Sequence, residues 1–182
     1  STPALLTVNY PPEIVNQPIR AWVCGSPSAT ASFSITASGG ITSYQWQVST
    51  TAVPAFTNIG AASSSTSLTV SNVTLAMSGN KYRVIITNSC GQSFTSNGLA
   101  TLTVNAKPVV TATALAARIC LSDGPIALVG SPVGGSWSGI GVSGSNFVPG
   151  ATSVGTYTLT YTYTNSLGCP ASATVIAKVV SD

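Results

Sequence analysis

Histidine is absent from the 182-residue sequence, and only three acidic residues occur, Glu13, Asp123 and Asp182. Without imidazole there is no serine–histidine–aspartate triad and no histidine metal site. Nothing obvious titrates between about pH 5 and 8. The three carboxylates fall one in each half and one at the end, whereas glycoside hydrolysis needs two close together. Charged residues make up 5%, against roughly 25% in an ordinary soluble domain. The six basic residues, Arg20, Lys81, Arg83, Lys107, Arg118 and Lys178, give a net charge of +3 but no run or stripe. A nucleic-acid footprint is therefore missing. No apolar run approaches the ~18 residues of a membrane span. The opening Ser-Thr-Pro-Ala-Leu-Leu lacks the regions of a signal peptide, so the chain reads as a mature product or a piece of something longer. These absences exclude most catalysis, and no cofactor, metal or catalytic residue is expected. A calcium cage of carbonyls and hydroxyls around Asp123 is the one metal option left.

What is present is alternation. Ala31-Ser-Phe33-Ser-Ile35-Thr-Ala37 and Tyr157-Thr-Leu159-Thr-Tyr161-Thr-Tyr163 place every second side chain on one face, the period of half-buried strands. Ser38-Gly-Gly40, Ser78-Gly-Asn80 and Leu167-Gly168 supply turns at sandwich-like spacing. Hydrophobic residues at 44% suffice for a core, and serine and threonine keep the surface wet. The class is all-β. Ala4-Leu-Leu-Thr-Val-Asn9 recurs as Ala100-Thr-Leu-Thr-Val-Asn105, and Pro12 as Pro108, both 96 residues on. A repeated last strand followed by a proline is the mark of a tandem array. The expected divisions are residues 1–9, a last strand of a preceding module or a donated strand; 10–106, one sandwich; and 107–182, a second. The short linker Ala106-Lys-Pro108 predicts a stiff junction.

The first division resembles the immunoglobulin fold of the intermediate type. Tyr44-Gln-Trp46-Gln sits where strand C belongs, Leu68-Thr-Val70 where strand E does, and Ser78-Gly-Asn-Lys-Tyr82 leads into strand F. The resemblance makes Tyr82 the corner tyrosine, its hydroxyl tied to the preceding loop, and makes Ile35 and Val84 stand where antibody-like domains hold their inter-sheet disulfide. Both are apolar here, so Ile35, Trp46, Tyr82 and Val84 are expected to pack a core without that staple. The second division, immunoglobulin-like or PKD-like, is similar to modules of large surface proteins of the Bacteroidota. Its marks are Gly134-Gly-Ser-Trp137-Ser-Gly139-Ile-Gly-Val-Ser-Gly144, Phe147-x-Pro149, Gly155-Thr-Tyr157 and Gly168-Cys169. Tyr44 to Thr50 and Asn88-Ser-Cys-Gly91 are similar to a companion module. The resemblance implies two tandem immunoglobulin-like β-sandwiches, secretion, often by the type IX route, and roles in adhesion, gliding or polymer attachment. Trp137 is expected in the second core.

Four cysteines in such modules point to an oxidising, extracellular setting. Each division owns two, Cys24 with Cys90 and Cys120 with Cys169, one before strand B and one at the F–G turn. Pairing within each division would close loops worth about 4 kcal/mol apiece. Opposed to it is the length of the sandwich, about 23 Å from end to end, when a disulfide needs Cα atoms within about 7 Å. A Cys24–Cys169 bridge across the junction is the other scheme, leaving Cys90 and Cys120 for neighbouring modules. Both stay open on the sequence.

Gly139-x-Gly-x-x-Gly144 has the letters of a dinucleotide turn, but Phe147-Val-Pro149-Gly150 breaks the helix that the turn needs and no acid follows until Asp182. Those glycines are expected to let short strands bend around Trp137. Ser78-Gly-Asn-Lys81 spells S-x-x-K, but in a turn rather than on a helix and without its partner motifs. Among the aromatic rings, Trp22, two residues after Arg20 on a strand read as an edge, is the candidate for an exposed ligand or interface ring. The reading is a non-catalytic stalk or spacer of a secreted cell-surface adhesin, its partners neighbouring modules and surface polysaccharide. Two rivals remain. One is a filament subunit that donates Leu5, Leu6 and Val8 to another sheet edge. The other is a carbohydrate-binding accessory of a polysaccharide-degrading enzyme, working through Trp22.

Overall fold

The computed structural model describes residues 10–182, in which every regular element longer than three residues is a strand. Leu5, Leu6 and Val8 lie outside the described residues. The chain divides between Ala106 and Lys107 into two compact units, each a β-sandwich with its own core.

The first unit holds β1 (Glu13–Asn16), β2 (Ala21–Cys24), β3 (Ala31–Ser34), β4 (Thr36–Ser38), β5 (Ile41–Ser49), β6 (Thr57–Asn58), β7 (Ser67–Val70), β8 (Lys81–Asn88), β9 (Ser93–Thr95) and β10 (Ala100–Asn105). One face is built from the pairs β1–β4 and β3–β7. The other is the sheet β2-β10-β8-β5-β6, with β9 also on β8. Alternation decides the core. In β8, Tyr82, Val84, Ile86 and Asn88 point inward while Lys81, Arg83, Ile85 and Thr87 do not, the period-two pattern of a half-covered sheet. Trp46 pairs directly with Val84, and Phe33 from the facing sheet stacks on Tyr82 at 4.5 Å. Ile35, Trp46, Tyr82 and Val84 are all buried in this cluster.

The second unit holds β11 (Thr111–Ala112), β12 (Ile119–Cys120), β13 (Ile126–Ala127), β14 (Gly130–Ser131), β15 (Ser136–Ser138), β16 (Val142–Ser143), β17 (Asn146–Phe147), β18 (Gly155–Thr164) and β19 (Pro170–Val180). Its principal sheet runs β12-β19-β18-β15. The β18–β19 ribbon matches ten residue pairs from Gly155↔Val179 to Thr164↔Pro170. Ile119, Phe147, Leu159, Ala177 and Val179 form the dry centre. Trp137 packs against it half-buried, because β15 is the sheet's edge.

Both principal sheets share one device. An early strand lies parallel to the last strand, β2 on β10 and β12 on β19, while its neighbours are antiparallel.

Candidate functional site

The glycine-rich stretch builds packing, not a nucleotide seat. Tyr161, 4% exposed, lies in β18 opposite Trp137, with ring centroids 5.1 Å apart. Its hydroxyl donates to the Pro132 carbonyl at 2.5 Å and accepts from the Gly135 N–H at 2.8 Å. A Cβ on Gly135 would stand 2.5 Å from the Thr162 carbonyl oxygen and from the Tyr161 ring, so only glycine fits there. Gly139 has φ +139°, and a Cβ there would meet the Thr158 carbonyl oxygen at 2.9 Å. After Gly144 the chain enters β17 and then a single 3-10 turn, Pro149–Ala151. Among the described residues no helix N-terminus faces the glycines, and the shallow cavity of about 440 Å³ lined by Trp137, Gly139 and Gly144 lacks that anion-binding end.

Ser78 and Lys81 are likewise spent on structure. The Ser78 hydroxyl accepts from the Val104 N–H at 3.0 Å, and Lys81 opens β8 on its exposed face. Asp123 accepts from the Cys120 N–H at 2.7 Å, and Asp182 from the Ser122 hydroxyl at 2.5 Å. Among the described residues, no three acidic, histidine or cysteine side chains gather as a metal site would require.

The ends of the units carry the remaining chemistry. Cys24 closes β2 opposite Asn105, and the next N–H, of Gly25, donates to the Asn105 carbonyl at 2.9 Å. Cys120 closes β12 opposite Val180, and the Leu121 N–H donates to the Val180 carbonyl at 3.1 Å. The two cysteines thus occupy the same place, beside the strand that leaves the unit. The other two sit in matching hairpins. Asn88 Oδ1 accepts from the N–H groups of Cys90 and Gln92, and Asn165 Oδ1 from those of Leu167 and Cys169. Cys169 takes the place of Gln92, two residues past that of Cys90, and is fully buried while Cys90 is exposed.

These positions stand at opposite ends of each sheet. Lys81 lies beside Thr101, still four residues short of the Asn105 that faces Cys24, and Asn88, at the hairpin, is seven residues the other way along β8, about 23 Å from Lys81. In the second unit Val180 and Pro170 are ten residues apart on β19, about 33 Å. Bonding requires Cα atoms within about 7 Å. The scheme that pairs cysteines within each unit is therefore removed by strand length. Cys24 and Cys169 are both disulfide-bonded, and Cys120 keeps its thiol.

A family model described as a PKD-like domain matches residues 11–101, half of the sequence, across the first sandwich. The chain belongs to the PKD-like domain family. No curated protein matches it. Among solved structures, the PKD-like chain is similar to the titin domains Z1Z2 in complex with telethonin (19% identity, 97% of this chain and 100% of that one, TM-score 0.44). It is similar to the N-terminal two-immunoglobulin module of the Drosophila receptor protein tyrosine phosphatase DLAR (14%, 94% and 100%, 0.40). A third likeness is to a 1.5-MDa bacterial ice-binding adhesin (15%, 96% and 66%, 0.42).

Trp22 of the PKD-like chain stands 63% exposed on β2, the edge of its sheet. Beside that edge, Ile19 and Leu99, 78% and 70% exposed, line a shallow groove together with Arg20 and Thr101. Sequence reasoning missed a polar row on the outer face of the same sheet. Arg83 Nε donates to Gln47 Oε1 and Gln47 Nε2 to Asn58 Oδ1, both at 2.7 Å, while the Arg83 guanidinium lies 4.0 Å over Phe56. Sequence reasoning placed a cysteine of each division at the F–G turn but missed that Asn88-Ser-Cys-Gly91 and Asn165-Ser-Leu-Gly168 share an Asn-Ser-x-Gly signal.

Proposed function

We propose that the chain is a non-catalytic, tension-carrying segment of a secreted cell-surface protein, a stiff spacer within an array of sandwich modules that places a contact site away from the cell. The observation that carries this reading is the parallel pairing of an early strand with the last strand in both units. Pulling the chain ends apart slides these strands along each other, so the hydrogen bonds of the ladder must break together rather than one at a time. Four register pairs join β2 to β10 and two join β12 to β19, so the first unit resists more. Disulfide-bonded cysteines and a surface of hydroxyls rather than ions suit an oxidising exterior with uncontrolled salt.

The test is single-molecule pulling on the full chain in reductant. Two unfolding events are expected, the second unit opening at the lower force. Gly25→Pro, which removes the donor to Asn105, should lower the higher-force event alone, and Leu121→Pro the lower-force event alone. Both units opening at the small forces of a peeled hairpin, indifferent to these changes, would sink the reading.

Trp22 favours a second role, the binding of surface polysaccharide on its exposed indole. Glycan-array binding abolished by Trp22→Ala is the expected result, and silence across plant and algal polysaccharides would remove it.

A further inference from the structure

We propose that the outer face of the first unit's larger sheet binds an anionic polysaccharide of the polyuronate class, which carries one carboxylate per sugar. The inference rests on the polysaccharide reading of Trp22 and adds charge to it. Arg20, Lys81 and Arg83 are scattered along the sequence, yet they are all the basic residues of the first unit, and the fold brings them to one face. In β8, Lys81 and Arg83 alternate with the buried Tyr82 and Val84, so both point outward, and Lys81 pairs with Thr101. Arg20 directly precedes β2, whose Ala21 pairs with Leu102, and it lines a groove of about 570 Å³ with Thr101 and Thr103. Two strand spacings, about 10 Å, separate Arg20 from Lys81, and Arg83 lies about 7 Å farther along β8. Trp22 pairs with Thr103 on the same outer side. The unit's single acid, Glu13, is on β1 in the facing sheet, where Ile14 points into the core and Glu13 outward on the far side.

This layout selects the ligand. Three cations with no carboxylate of their unit on the same face leave a local positive field for an anion to neutralise. Arg83 is already fixed, with its Nε on Gln47 and its guanidinium over Phe56, so little side-chain freedom is lost on binding. Guanidinium forks match carboxylates through paired hydrogen bonds. Between the charges stand Thr101 and Thr103, whose hydroxyls suit sugar hydroxyls, and Trp22 offers a flat ring to the apolar side of a pyranose. A second hollow of about 280 Å³, lined by Lys81, Phe56 and Gly79, continues the track on the β5 side. Duplex DNA presents a charge every ~1.7 Å, far denser than this sparse set of cations. A polyuronate spaces its charges by whole sugars.

The experiment is calorimetric titration of the full chain with an oligogalacturonate and with its methyl ester, which keeps the sugars and removes the charge. Binding to the free acid is expected, weakening about tenfold between about 50 and 200 mM salt. The methyl ester should bind about tenfold more weakly, and the double variant Arg20→Gln/Lys81→Gln should lose about as much on the free acid alone. Glu13→Gln, which raises the net charge from the far face, should change nothing. A gain there as large as the loss from the double variant would show net charge at work instead of this face, and would overturn the inference. Equal binding of acid and ester, abolished by Trp22→Ala but indifferent to the double variant, would also overturn it and leave the neutral reading of Trp22 standing. Silence toward the free acid would overturn it as well, with the glycan array still deciding the Trp22 reading. Displacement of the oligogalacturonate by polyuridylate at equal charge would assign the face to nucleic acid and end the proposal.

Discussion

The two units agree at their ends and differ in their bodies. From Cys24 to Asn88 the first unit spends 64 residues, and from Cys120 to Asn165 the second spends 45. The longer body closes its core by contact across the sandwich, with Phe33 stacked on Tyr82 and Trp46 against Val84. Trp46 is held by shape alone, since its buried indole N–H finds no acceptor among the described residues. The shorter body cannot offer as many large side chains. It fits one ring, Tyr161, into a glycine-walled slot and ties its hydroxyl to two backbone groups. A sandwich can therefore be completed by apolar area or by a close-fitted polar anchor, while its ends stay the same.

The comparison breaks most visibly through Phe33→Ala. Deleting a buried ring of this size costs about 3–5 kcal/mol, so the first unit should lose its cooperative urea transition while the second keeps its own. Gly135→Ala should do the converse. Its Cβ overlaps the Thr162 carbonyl and the Tyr161 ring, and overpacking that cannot relax costs about 3 kcal/mol, here in the second unit alone. Tyr161→Phe keeps the ring and removes the anchor. It leaves the Gly135 N–H and Pro132 carbonyl unpaired, at about 2 kcal/mol. Equal losses for Phe33→Ala in both units would show that the cores are not independent. A neutral Tyr161→Phe would show that the slot works by shape and not by its hydrogen bonds.

Local pattern made much of this legible. Alternation along residues 81–88 and 157–163 fixes which side chains face inward, and Cys24 and Cys120 are 96 residues apart, the interval at which Asn9 recurs as Asn105. What stayed hidden depends on partners far along the chain. Gly135 reads as a turn residue until Tyr161, 26 positions later, is seen against it. Trp137 reads as a core ring, but its exposure is set by β15 having no strand beyond it. Hairpin position, not count, separates Cys169 from Cys90. A two-residue offset after the same asparagine decides which sulfur is buried, and composition has no voice in that.

The smallest effect contrasts the two units in alkali. Burial pushes the Tyr82 phenol above its ordinary value of 10.0, with the Asn80 side chain opposing by a hydrogen bond. Tyr157, half-buried against the second core with its hydroxyl at the surface, is shifted down, first by the Ser153 side chain and then by the Ser153 backbone. For Tyr82 the folded value lies above the unfolded one, so its contribution is complete below about pH 10 and is lost as pH rises through the folded value. For Tyr157 the sign reverses, and its contribution appears as pH rises and is complete above about pH 10. Denaturant midpoints of each unit between pH 8 and 11 should therefore fall more steeply in the first unit, and Tyr82→Phe should flatten that fall without touching the second. Tyr157→Phe should steepen the second unit's fall slightly, because solvent screens an exposed phenol. If Tyr82→Phe leaves the alkaline slope of the first unit unchanged, then water reaches that hydroxyl, and the ring that seals the larger core is not enclosed at its polar end.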